Sequence, residues 1–118
     1  MRHRVAGRKF GLPSNQRRAL LKSLVRAVLA HNSIETTETR AKDVRILVEK
    51  CITTARGGDL HARRQVRKVV PDETLVKKIV TEIAPKYKDR PGGYTRITRL
   101  GPRRGDSAMM VKLELVED

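Results

Sequence analysis

Basic side chains dominate the start of this sequence, and their chemistry suits the binding of phosphate groups. Residues 1–18, MRHRVAGRKFGLPSNQRR, contain no Asp or Glu, and the first carboxylate of the chain is Glu35. Lysine offers a point charge and arginine a planar fork of N–H donors, and both bind phosphate oxygens. Because the segment has no internal counter-ion, it either remains solvated or binds an external polyanion. This first basic cluster consists of Arg2, Arg4, Arg8, Lys9, Arg17, Arg18, Lys22 and Arg26, with His3 among them.

Two further basic clusters lie later in the chain. The second occupies a predicted β-hairpin and its loop, and the third lies on a predicted helix, where a solvated face and a binding face are both open interpretations. We predict that the second cluster binds the same polyanion as the first. The second cluster is Arg96, Arg99, Arg103 and Arg104, and the third is Arg63, Arg64, Arg67 and Lys68.

The residues that enzymes use most often are not grouped in a catalytic pattern. The three histidines, His3, His31 and His61, stand apart in sequence, and none has metal-binding spacing. Cys51 is the only cysteine, so it can form no internal disulfide, and it falls on the apolar side of a predicted helix. The chain has no GxxxxGK[ST] or GxSxG motif. We therefore predict no enzyme, no catalytic residue, no metal site, no cofactor and no small-molecule substrate.

Two short motifs have a structural and a functional interpretation. Gly92 and Gly93 could form a phosphate-binding loop, but two glycines before a strand are more typical of a turn. The Arg-Gly-Asp triplet at 104–106 invites comparison with adhesion motifs, and we interpret it as the tip of a hairpin.

The composition favours a single basic domain with an aliphatic core. The chain has 118 residues, of which 38% are hydrophobic and 34% charged, with one Phe, two Tyr and no Trp. Lys and Arg outnumber Asp and Glu by 27 to 13, which gives a formal charge of +14. Such a charge favours a nucleic-acid partner, although a solvated Lys/Arg surface is the simpler alternative. No apolar run approaches membrane-spanning length and no signal peptide is evident, so we expect a soluble intracellular protein with no membrane partner.

The positions of apolar residues predict the elements that hold the basic clusters. Residues 1–13 show no hydrophobic period and are predicted to be an extended arm. Apolar residues at helical spacing after Ser14 predict an amphipathic first helix, and residues 33–37 predict a strand. Three more helices are predicted. The first is capped by Thr39 and ends at Gly57 and Gly58, the second runs from Asp59 to Pro71, and the third begins at Asp72, with Pro85 ending or bending it.

The last part of the chain predicts a β-hairpin. Residues 94–100 and 109–116 indicate strands joined by a polar loop at 101–107, and Val111, Leu113 and Leu115 alternate with polar residues. The element order α-β-α-α-α-β-β predicts an α+β, two-layer domain with a small sheet backed by helices. We therefore divide the chain into a basic N-terminal arm, 1–13, and a single α+β domain, 14–118.

The sequence favours recognition of a structured RNA through its backbone over recognition of specific bases. It has no helix-turn-helix, zinc-finger or basic-zipper signature. It also lacks interleaved stacking aromatics, since Phe10, Tyr87 and Tyr94 are its only aromatic residues. A compact basic body with a basic arm can clamp the backbone of a structured RNA.

Several motifs then follow one another in a fixed order: MRHR, GRK, NQRRALLKSLVRAVLAHNSIETTETRAKDVR, GGDLHARRQV, GGYTRI, RRGD and the closing LELVE. Together they resemble the family of bacterial ribosomal protein seventeen of the large subunit, over essentially the whole chain. The resemblance implies a structural protein of the cytoplasmic ribosome, bound to large-subunit ribosomal RNA and neighbouring ribosomal proteins near the exit of the nascent-chain tunnel. It also implies that Arg2, His3, Arg4, Arg8, Lys9, Tyr94 and Arg96 face RNA.

Two other classes of function stay open from the residues alone. A nucleoid or DNA-coating protein would bind random duplex DNA as well as it binds folded RNA. A basic interaction protein would dock on an acidic protein or an anionic membrane, for which the first helix is the only candidate, although its apolar stripe is better explained as core.

Overall fold

The computed structural model describes residues 14–117, which fold into four helical segments and a three-stranded antiparallel sheet. This confirms the predicted α+β class. The predicted arm, residues 1–13, lies outside the described residues. The helices are α1 (Ser14–His31), α2 (Glu38–Ala55), α3 (Leu60–Val69) and α4 (Glu73–Lys78), which continues through a π-helical turn (Ile79–Ile83) into the short α5 (Ala84–Lys86). The strands are β1 (Ser33–Thr37), β2 (Thr95–Pro102) and β3 (Met109–Leu115).

The starts of α3 and α4 are fixed by the aspartates that the sequence predicted as caps. Asp59 accepts a hydrogen bond of 2.8 Å from the amide of Ala62, and Asp72 accepts from the amides of Thr74 and Leu75. The predicted cap of α2, Thr39, is wrong by two residues. Strand β1 passes directly into α2, so the capping position falls on Thr37, whose side chain makes no capping hydrogen bond.

The sheet has the strand order β1-β3-β2, with β3 in the middle. In its register Leu113 lies opposite both Ile34 and Ile97. Val111, Leu113 and Leu115 are all buried, as their alternation predicts, and they face the helices. An irregularity in the β2–β3 register between Arg99 and Gly101 lets β2 extend to Pro102, two residues beyond the predicted strand end.

The core between helices and sheet is largely aliphatic, as the composition predicts. Val28, Leu29 and Ile52 are fully buried, and the rings of Tyr87 and Tyr94 lie beside one another with centroids 5.1 Å apart. Burial raises the pKa of the Cys51 thiol to about 12, so this group stays protonated and packs as a small apolar side chain. Within residues 14–117 no helix combines the length and the apolar character needed to cross a membrane.

Candidate nucleic-acid interface

The basic side of α1 is held outward by the burial of the opposite side of the same helix. Val25, Val28 and Leu29 are fully buried, which fixes the rotation of α1 about its axis. Arg18 and Lys22 are exposed in consequence, and Arg17 is half-buried. Within residues 14–117, no carboxylate forms an ion pair with any of these three side chains. Their charge is therefore uncompensated within the described part of the chain.

The arginines of the hairpin, in contrast, are paired with carboxylates. Arg96 contacts Glu114 with Nη2–Oε1 at 2.7 Å and Nε–Oε1 at 3.1 Å. Its hydrogen bond is the main reason that the pKa of the Glu114 carboxyl is lowered. Arg99 reaches across to Glu38 at the start of α2, with Nε–Oε2 at 3.4 Å.

The tip of the hairpin contains one arginine with a carboxylate partner and, within the described residues, one without. Arg103 contacts Asp106 with Nη2–Oδ2 at 2.6 Å, and this hydrogen bond, together with one from the amide of Ala108, lowers the pKa of Asp106 to about 2. Arg104 is exposed and has no carboxylate partner among residues 14–117. The Arg-Gly-Asp triplet thus forms the predicted turn between β2 and β3.

Tyr94 does not face solvent, and the expectation that it faces RNA is wrong. Its ring is fully buried against Tyr87, so no base can stack on it. Its hydroxyl lies 3.1 Å from the Thr53 hydroxyl and accepts a hydrogen bond of 2.8 Å from Nη1 of Arg56. The residue is an internal anchor for the start of β2.

Glu49 of α2 and Arg56, the residue that follows α2, complete this anchor, and the sequence analysis did not identify either of them. Oε1 of Glu49 accepts hydrogen bonds from the amides of Gly93 (2.8 Å) and Tyr94 (3.3 Å), while Oε2 accepts from the hydroxyl of Thr95. Arg45 also contacts Oε2, at 3.1 Å. The amide of Gly93 therefore binds a carboxylate of its own chain, which supports the turn interpretation of Gly92-Gly93 over the phosphate-loop interpretation.

Arg56 is the second of these residues. It donates from Nη2 to the carbonyl of Lys88 (2.8 Å) and from Nη1 to the carbonyl of Arg90 (2.9 Å). No local sequence signal marks Glu49 or Arg56, because their partners lie far along the chain.

The third basic cluster lies on α3. Arg64 and Lys68 are exposed and Arg63 is half-buried, whereas Arg67 forms an ion pair with Glu73 at the start of α4. Among the described residues there is no group of three or more His, Cys, Asp or Glu side chains that could hold a metal ion.

Comparison with known proteins decides the family. Residues 20–116 match the family described as Ribosomal protein L17. The chain is 62% identical over 109 residues to the large ribosomal subunit protein bL17 of Clostridium acetobutylicum, an alignment that covers 92% of this chain and 96% of that relative. The proteins of the same name from Clostridium botulinum and Thermoanaerobacter pseudethanolicus are 60% and 61% identical over 109 residues, covering 92% of this chain and 96% and 97% of theirs.

The chain belongs to this ribosomal protein family. It therefore has a structural role in the large ribosomal subunit, located in the cytoplasm, and it is not an enzyme. Membership confirms the resemblance inferred from the sequence motifs and favours the ribosomal interpretation over a DNA-coating protein.

Proposed function

We propose that this protein binds large-subunit ribosomal RNA mainly through phosphate contacts, with the basic side of α1 as its principal surface in the described part of the chain. The observation that carries the proposal is the uncompensated charge of Arg17, Arg18 and Lys22. Cations without a carboxylate partner can displace counter-ions from phosphates, and the released ions favour binding entropically. Membership in a large-subunit protein family supplies the class of RNA.

The proposal extends to the N-terminal arm on sequence grounds. Arg2, His3, Arg4, Arg8 and Lys9 lie outside the described residues, and their segment contains no acidic residue. The same charge argument that applies to α1 applies to them. We accordingly keep the division into a basic arm, 1–13, and a single domain, 14–118, as part of the proposal.

The hairpin arginines form a secondary surface in this proposal. Arg96, Arg99 and Arg103 keep guanidinium donors exposed, but each already faces a carboxylate that would repel an approaching phosphate. Arg104 is the exception, since it is exposed at the hairpin tip without a partner among residues 14–117. We expect these residues to contribute less per charge than those of α1.

The place of the protein in the subunit is also part of the proposal. The family resemblance implies a position near the exit of the nascent-chain tunnel, beside other ribosomal proteins. Electron microscopy of large subunits from the source cell would locate the chain directly. A position remote from the tunnel exit would contradict this part and leave the RNA-binding part intact.

RNA binding is tested by comparing folded large-subunit ribosomal RNA with random duplex DNA over a salt series. The full chain is measured beside a chain lacking residues 2–13. We expect a strong preference for the RNA, and a shallower dependence of log K on log salt for the shortened chain, by about 0.7–0.9 per lost phosphate contact. Equal binding to DNA and RNA would favour the DNA-coating alternative instead.

A further inference from the structure

A groove runs along α1 where this helix faces the junction between α3 and α4, and it combines charged, hydroxyl and apolar surface. Its volume is about 550 Å³. Lys22, Ser23 and Arg26 stand on the α1 wall, one helical turn separating the two cations. The opposite wall comes from the end of α3 and the start of α4. That wall consists of Val69, Pro71, Asp72 and Glu73.

The two carboxylates in the groove are already engaged within the protein. Asp72 uses Oδ1 to cap α4 and Oδ2 to accept from Nη2 of Arg26 at 3.0 Å. Glu73 forms an ion pair with Arg67. The repulsion that these carboxylates would exert on an approaching anion is therefore reduced by their own partners, and the charge of Lys22 remains uncompensated within residues 14–117.

The contact with Asp72 orients Arg26 and leaves most of its donors available. The guanidinium has five N–H donors, of which one is directed to Asp72, and the side chain is 60% exposed. As with the paired arginines of the hairpin, the carboxylate weakens the attraction of Arg26 for a phosphate, so Lys22 is the stronger of the two cationic contacts.

The mixture of groups matches the sugar–phosphate backbone of RNA. Lys22 and Arg26 suit phosphate oxygens, and the exposed hydroxyl of Ser23 can bond to a ribose 2′-hydroxyl. Val69, Pro71 and Ala19 offer apolar surface to the ribose carbons. We propose that the groove between α1 and the α3–α4 junction seats a segment of ribosomal RNA backbone, with Lys22, Ser23 and Arg26 as its contacts. This inference rests on the proposed RNA binding and assigns it a specific place.

One arm of the test compares two double variants that are matched in charge and environment. The groove variant is Lys22→Gln with Arg26→Gln. The control is Lys50→Gln with Lys42→Gln on α2, because Lys50 is likewise an exposed helical lysine and has no ion-pair partner among residues 14–117. Lys42 is 55% exposed and pairs with one carboxylate, that of Glu38, as Arg26 pairs with Asp72. Binding to folded large-subunit ribosomal RNA over a salt series should lose about 1 from the slope for the groove variant, because Lys22 supplies a full phosphate contact and the paired Arg26 less than one, and less than about 0.5 for the control.

The second arm does not depend on the stability of the charge variants. A benzoylphenylalanine photo-crosslinker replaces Ser23 in the groove or, as control, Thr98, which is exposed on the sheet. In the complex of the full chain with that RNA, the probe at 23 should cross-link to RNA far more efficiently than the probe at 98.

The outcomes separate the groove from the general proposal. If the unchanged protein prefers ribosomal RNA but both double variants lose the same slope, or both probes cross-link alike, the groove assignment is wrong and RNA binding stands. In large subunits, cross-linking from position 23 to a protein instead of RNA would also overturn it, in favour of an acidic protein segment as the occupant. If the unchanged protein shows no preference for ribosomal RNA, both proposals fail.

Discussion

The basic side of α1 and the C-terminal hairpin contain similar numbers of cations but differ in their carboxylates. On α1, Arg17, Arg18 and Lys22 have no acidic partner among residues 14–117. On the hairpin, Arg96 and Arg103 each pair with an acid of the hairpin itself, and Arg99 pairs with Glu38 of α2. The comparison teaches that the location of the acids, more than that of the bases, separates a surface that needs an external polyanion from one that largely neutralises itself.

The difference arises because α1 lies before the first carboxylate of the chain. A helix can use its own acids four residues away, as Glu38 and Lys42 do in α2, but α1 contains none. A strand can use acids on the strand opposite, and β3 supplies Glu114 to Arg96. Among residues 14–117, the acid that pairs with a cation of α1 is the distant Asp72, which contacts Arg26.

The largest effect that we predict follows from neutralising α1. The triple variant Arg17→Gln, Arg18→Gln, Lys22→Gln should reduce the slope of log K against log salt for ribosomal RNA by about two to three units. Its thermal unfolding should change little, because none of the three forms an ion pair in the described structure. The measurement is a salt series of binding isotherms, with circular dichroism to follow unfolding.

The matched control for α1 removes the same charge from the hairpin. Arg96→Gln, Arg99→Gln and Arg103→Gln together should reduce the slope by less than about one unit, because each of these arginines already faces a carboxylate. If the two triple variants lose the same amount of slope, the carboxylates of the hairpin do not weaken its RNA binding relative to α1.

A smaller effect, on stability alone, is expected for Tyr94→Phe. The substitution keeps the buried ring and removes the hydroxyl that accepts from Arg56, at a cost of about 1–2 kcal/mol in the free energy of unfolding. RNA affinity should remain unchanged because the side chain has no exposed surface. Urea unfolding measures the stability and titration with RNA measures the affinity. A variant with unchanged stability and weakened RNA binding would show that Tyr94 faces RNA after all.

The smallest effect is a dependence on pH at the hairpin tip. The Arg103 hydrogen bond, together with that from the amide of Ala108, lowers the pKa of Asp106 from its ordinary 3.8 to about 2, so the charged form is favoured in the folded protein. The pair therefore stabilises the fold fully above about pH 4 and loses this contribution as the pH falls towards 2. Carboxyl carbon NMR should show the low midpoint, and Arg103→Gln should raise it. If the titration midpoint of Asp106 is the same in the Arg103→Gln variant, the pairing of Arg103 with Asp106 is wrong.

Local sequence signals predicted the elements well and their arrangement less well. Asp59 and Asp72 act as caps, and the alternation in β3 gives its buried face, because these features depend on neighbours a few residues apart. The strand order does not follow from such signals. Pairing of β1 with β3 joins distant segments of the chain, and only the packed core selects it.

The positions of the basic residues in the candidate site could be predicted from the sequence, but the carboxylates that pair with them could not. The excess of cations before Glu35 is visible in the sequence, so α1 could be identified at once. The pairing of Arg99 with Glu38 and the burial of Tyr94 depend on tertiary contacts between distant segments. The same limit explains why Glu49 and Arg56, which hold the start of β2, gave no signal.

The middle strand of the sheet, β3, is the last of the three to be synthesised. Both β1 and β2 pair with β3 and not with each other, so neither has its partner strand until residues 109–115 have been synthesised. The three-stranded sheet therefore cannot form before Met109–Leu115 becomes available to pair with β1 on one side and β2 on the other. A nascent chain that lacks β3 can form helices but has no sheet for them to cover. The apolar faces of those helices then stay exposed, or need another binding partner, until β3 is available.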